Sequence, residues 1–281
     1  NSDSVGPNSK NGQWRKKKGK PVSVNENHAR ELLELHSVGP AAGYSQKDVI
    51  GLSYIMAGWE CPWTKKRHDA NQVKFNQDKH EPGSHKVFGK AYKQKGVTPK
   101  NKLIDVINDL AEHPSCSNFI THKLCRHFIC DHPTEEMMKP ILKAWNESGG
   151  DLPTIHKALL EVTYEYTGMF EKFQNPEVWL MQMATMADLK WPFSSVDMVY
   201  DFSTKPRKQW RIKSDLKEIG LSPYRPTQPN GWSDLSADWI SPELLLRRIV
   251  FAKKFSWNGS GHGPQNWSPV HMLQSNFDKL D

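Results

Sequence analysis

The chain has 281 residues, 37 % of them hydrophobic and 25 % charged, with a net charge of +7. That length buries an ample core without cross-links or metals, and no apolar run reaches the ~20 residues that a membrane span requires. Of the net charge of +7, +5 falls in residues 1–20, where Lys10, Arg15, Lys16, Lys17, Lys18 and Lys20 face only Asp3, so the charge marks one solvated segment and disfavours nucleic acid as a partner.

The chain opens on Asn in NSDSVGPNS, which suggests a fragment or processed product, and no export signal is visible within it. Residues 8–22, with WRKKKGK set among Ser, Asn and Gly, read as a basic flexible loop. Ser23-Val-Asn-Glu26 then fits a capping box. A helix is expected to run from there to about Val38, stopped by Gly39-Pro40. A second should start at Ser45 or Gln46 and carry Val49, Ile50, Leu52 and Ile55 on toward Trp59. Val73–Phe75 and Lys86–Phe88 flank Pro82-Gly83 and predict one small β-hairpin.

Helical spacing resumes after Pro99 with Leu103, Ile104, Val106, Ile107 and Leu110, and again after His113-Pro114 as far as Cys130. Further helices are predicted at about 134–147, 151–165, 176–189 and 241–255. Residues 191–240, rich in Pro, Trp and Ser, read as an ordered loop region. The expected architecture is a mainly α, multi-helix single domain over 1–281 with a small β-hairpin insert.

The cysteines Cys61, Cys116, Cys125 and Cys130 show no C-x-x-C spacing. Cys125 and Cys130 would lie about 140° apart around one helix, which disfavours a shared zinc site. Buried thiols are the default, and a disulfide from Cys61 stays open.

Two stretches carry candidate chemistry. In NENHARELLELHSVG, residues 25–39, a helical turn of ~100° per residue places Asn27, Arg30, Glu31 and Glu34 on one polar face. Ala29, Leu32 and Leu33 fall opposite, and His36 lands among them as a structural histidine of the core or the helix end. A solvated stripe with Arg30 paired to Glu34 is the plain reading. The sharper one points both carboxylates into a polar cleft, where they hold a cation or transfer protons. In KHEPGSHK, residues 79–86, His80 and Glu81 precede a Pro-Gly turn that returns His85 and Lys86. That turn is either a metal-ligand source or a polar hairpin tip.

These stretches resemble the bacterial domain-of-unknown-function 1800 family. NENHARELLELHSVG with GYSQKDVIGL and AGW is similar to its hallmark NEN-aromatic-ARELLELHTLG, GYTQ-x-DV and TGW segments. HEPGSHKVFG matches its His-Asp-x-Gly segment, HPSCSNFITHKLCRHFI its HPxTAxFIxxKLxRHF helix, and PNGW and WISPELLLRR its C-terminal part. Glu81 stands where the family usually has Asp, and the family's Lys falls on His85. The WRKKKGK segment looks like an insertion in this member.

The resemblance implies a C-terminal portion of the family domain, the missing upstream part carrying a Trp-x-Asn-His-Phe motif. It also implies a periplasmic or extracellular location and, as a partner, another exported protein encoded nearby. It points to no particular reaction. Two functions follow as expectations. One is a metal-assisted hydrolase, with Glu31, Glu34 and Arg30 catalytic, Asn25 and Asn27 orienting, and His80 and Glu81 holding a divalent metal. The other is a non-catalytic envelope binding or assembly protein, in which the Arg30 face locks helix packing and Trp191, Trp210, Trp232 and Trp239 present a partner or glycan surface.

Overall fold

The computed structural model describes residues 4–60, 73–93, 101–168, 172–186, 212–223 and 225–256. They fold as a mainly α protein with two small antiparallel strand pairs. The chain packs as two compact units, Asn1–Phe128 with Pro133–Thr167, and Ile129–His132 with Gly168–Asp281.

In the first unit the elements are α1 (Lys10–Lys17), α2 (Asn27–Glu34), α3 (Gln46–Met56), β1 (Trp59–Glu60), β2 (Lys74–Phe75), β3 (His85–Val87), β4 (Lys90–Tyr92), α4 (Asn101–Glu112), α5 (Pro114–Phe128), α6 (Glu135–Ser148) and α7 (Leu152–Glu165). Ala29 and Leu33 of α2, Val49, Leu52 and Ile55 of α3, Val87 and Tyr92 of the strands, and Val106 and Leu110 of α4 share one apolar core. The helices of the second unit are α8 (Pro176–Met186), α9 (Ile212–Glu218) and α10 (Pro242–Ser256). Their core joins Leu180, Leu216, Ile219, Trp239 and Phe251.

Four local expectations are corrected. The basic segment contains α1, because the Ser9 hydroxyl accepts from Gly12 N (3.0 Å) and caps it, satisfying an orphan donor that a solvated loop would leave to water. Helix α2 starts at Asn27, not at the Ser23 box. Asn25 Oδ1 accepts from Asn27 N (2.9 Å), while Ser23 O is occupied by Val5 N (3.2 Å).

The single hairpin is instead two strand pairs. β1 pairs with β2, aligning Trp59 with Phe75, and β3 pairs with β4, aligning His85 with Tyr92. The turn of the second pair is Phe88-Gly89, both with positive φ (49° and 74°), as a two-residue turn matched to strand twist demands. Pro82-Gly83 joins β2 to β3 without pairing them. Within the 191–240 region, α9 and a 3-10 turn (Ser236–Asp238) are formed, because Leu216 and Ile219 supply core contacts. Trp191, Trp210 and Cys61 lie outside the described residues.

Helix α3 positions the rest of the first unit. Asp48 Oδ2 accepts from Ser45 N (2.7 Å) and Ser45 Oγ (2.6 Å), closing the start of the helix, while Oδ1 accepts from Phe88 N (2.8 Å). One carboxylate thus fixes both the helix start and the β3–β4 turn. Burial opposes its charge, but the hydrogen bonds from Ser45, Phe88 and Gly89 outweigh burial and hold its pKa below the usual range. Helix α3 packs on β3 at Gly51, where a Cβ would meet Lys86 O at 2.0 Å. Only glycine permits that approach.

Candidate functional site: two polar networks of the first unit

The polar face of α2 forms as expected, and it is filled with partners. Arg30 Nη1 lies 3.3 Å from Glu34 Oε1, and Nη2 donates to Gln46 Oε1 (2.7 Å) with Glu26 Oε2 3.9 Å away. Gln46 Nε2 in turn donates to Glu26 Oε2 (2.5 Å). The Tyr44 phenol bonds Glu34, and its pKa is pushed up to about 12, first by burial and then by that carboxylate. Arg30 therefore ties α2 to the start of α3. Glu31 is half-buried, and Asn25 and Asn27 are exposed at the start of the helix.

Helix α2 ends at Glu34, where the Ser37 hydroxyl donates to Leu32 O (2.6 Å) and Gly39 N donates to Leu33 O (2.9 Å). His36 then lies beyond the helix and is exposed, not part of the core. The regular-helix placement fails there because the capped carbonyls turn the chain out one turn early.

The second network is buried. His80 and Glu81, in the loop between β2 and β3, are 4 % and 3 % exposed, and Lys102, on α4, is 2 % exposed. His80 Nδ1 donates to Ala57 O (2.8 Å), which leaves Nε2 as an acceptor 3.4 Å from Lys102 Nζ. Lys102 also donates to Gly83 O (2.7 Å). Glu81 Oε2 accepts from Asn8 N (2.8 Å) and Oε1 from Asn8 Nδ2 (2.6 Å). Gly6 N and Asn11 N donate to Lys79 O (2.9 Å) and Asp78 O (2.8 Å), so residues 6–11 are laced onto the 78–81 loop.

Charge in this network follows from burial. Desolvation pushes the His80 pKa down, the Ala57 bond opposes it, and the charges of Lys102 and His85 add to the lowering. His85 is lowered in the same way, first by burial and then by Lys102, and its Nε2 is buried without a partner. Lys102 is itself lowered by burial, against the pull of Glu81.

His80 and Glu81 do not fit a divalent metal as they stand. One nitrogen of His80 is a donor and the other faces a lysine nitrogen, while both oxygens of Glu81 receive Asn8. Among the described residues no three His, Cys, Asp or Glu side chains are grouped to hold a metal ion. No hydrogen bond or ion pair joins Arg30, Glu31 or Glu34 to His80 or Glu81. The sequence reading passed over Lys102, although its spacing from Val106 and Leu110, four and eight residues on, places it on the buried face of α4.

The remaining candidates are packing residues. Trp239 is buried, donates Nε1 to Ser233 O (2.8 Å) and lies 6.0 Å from the Trp232 ring. Cys116 is buried, and burial pushes its thiol pKa up. No helix among the described residues is long and apolar enough to cross a membrane.

What the fold and these networks define is a mainly α protein in whose first unit Arg30, His80, Glu81 and Lys102 are held by neighbouring polar groups. The chain belongs to the DUF1800 family, described as a protein of unknown function, whose sequence profile matches residues 1–280. No match was found among curated proteins or among solved structures.

Proposed function

We propose that this chain is a non-catalytic binding or assembly protein of the bacterial envelope, periplasmic or extracellular, rather than a metal-assisted hydrolase. One observation carries the reading. Of the side chains that a hydrolase would present to substrate or metal, Arg30 is engaged by Glu26, Glu34 and Gln46, and the buried His80 and Glu81 by Ala57, Lys102 and Asn8. A catalytic carboxylate or imidazole needs a solvent-reachable cleft and a free donor or acceptor. Networks of this kind set helix and loop positions instead. The envelope location and an exported partner encoded nearby are what the resemblance of the motifs implies, and no contact or charge feature described above bears on them.

Elemental analysis of the purified protein tests the reading, run beside Glu31→Gln, His80→Ala and Glu81→Ala. The expected result is no stoichiometric metal in the parent protein. Metal at one equivalent that is lost in folded His80→Ala or Glu81→Ala returns the hydrolase reading. Recovery of the native protein from the cytoplasmic fraction overturns the location.

A further inference from the structure

Arg248, on α10 of the second unit, is 5 % exposed. Its guanidinium lies over the rings of Phe173 (4.7 Å to the centroid) and Trp179 (5.6 Å). Nη2 donates to Gln174 O (2.7 Å), and Nε is buried with no acceptor. The neighbouring Arg247, by contrast, is exposed and paired with Glu243 at 2.6 Å. Asp131 receives Ser236 N (2.8 Å) and Lys172 (3.5 Å). Arg248 pairs with no carboxylate among the described residues.

A buried guanidinium with five donors stays charged. Two ring faces and one neutral carbonyl offset only part of what its desolvation costs. An apolar side chain would not carry that cost, and no described residue supplies an acceptor for the buried Nε–H. The cover over it is the irregular segment 172–175, which brings both Phe173 and Gln174 to the guanidinium. The Gln174 carbonyl occupies one arm of the fork.

We propose that Arg248 is an anion-binding residue, which receives an oxyanion group (carboxylate, phosphate or sulfate) of a small ligand between Phe173 and Trp179, the ligand oxygens replacing Gln174 O and engaging Nε–H. Charge-assisted, two-point recognition of planar or tetrahedral oxyanions is the chemistry for which a guanidinium is suited. This site is separate from the networks of the first unit and does not depend on their role.

The test uses the full chain with 15N-labelled arginine side chains, titrated with sodium acetate, phosphate or sulfate at ionic strength held constant with sodium chloride. The Arg248 Nε–H resonance is identified by its displacement in Phe173→Leu, which removes the nearer ring. The expected result is a saturable downfield shift with at least one of the three anions, and that anion identifies the ligand class. The same anion should raise the melting temperature of the parent protein, with half-saturation weakened about tenfold or more in Arg248→Met. Absence of a saturable shift with all three overturns the proposal, as does an equal thermal response in folded Arg248→Met. If Arg248→Met does not fold, the resonance titration of the parent protein decides alone.

Discussion

Lys102 Nζ stands 3.4 Å from His80 Nε2, both side chains almost completely withdrawn from water. That approach requires His80 to stay neutral, because its protonation would set two cations together in a medium that screens them poorly. The pKa of His80 and of His85 is lowered from 6.5. A histidine lowered on folding contributes stability that is complete above its unfolded value and lost as pH falls through the folded one. The melting temperature should therefore hold from pH 8 to about pH 7 and decline below about pH 6.5. His80→Gln, which cannot titrate, should show a shallower decline. Equal slopes in the two proteins would remove His80 from this account.

The buried lysine should separate charge from volume. Lys102→Met keeps most of the volume but leaves Gly83 O and His80 Nε2 short of a donor, an expected cost of about 1–3 kcal/mol. Lys102→Ala adds a cavity and should cost about 3–5 kcal/mol. Urea denaturation of both variants measures this. Values within about 0.5 kcal/mol of the parent would mean that the side chain is not held as described.

Helix α3 and strand β3 should tolerate no added atom where they touch. Gly51→Ala places a methyl against Lys86 O, and because that atom belongs to the backbone of a paired strand, it cannot swing aside. A loss of about 3 kcal/mol is expected from overpacking. Asp48→Ala removes the helix closure and the acceptor for Phe88 N together, and should cost about 2–3 kcal/mol. Chemical denaturation checks both, and a neutral Gly51→Ala would show that the two elements part more easily than their contact implies.

Arg30 offers the opposite expectation. Its partners Glu26 and Glu34 are each about a third exposed, so water and salt screen the pairs. Arg30→Met should cost about 1 kcal/mol or less, and the cost should shrink further in high salt. A loss of several kcal/mol, insensitive to salt, would mark the face as a deeply coupled site.

The helices were largely legible because an apolar stripe repeats locally. Leu103, Val106 and Leu110 announce α4, and Thr134 and Asp151 cap α6 and α7 near the expected starts. Strand pairing was not. Lys74–Phe75 and His85–Val87 both look like short strands, yet each pairs with a segment other than the one across Pro82-Gly83. Two- and three-residue strands carry too little side-chain pattern to set a register. The polar face of α2 was legible as far as Glu34, where helical spacing holds, and misplaced His36, where it stops.

The family and the mainly helical class were determined by the sequence alone, since both rest on motif and period within short windows. Which polar groups are buried, and with what partners, was decided only by the tertiary structure. Glu81 meets Asn8 across 73 positions of chain, and Lys102 meets His80 across 22. Charge, tautomer and the want of an acceptor at Arg248 depend on such distant neighbours, because desolvation is a property of the packed environment and not of the residue.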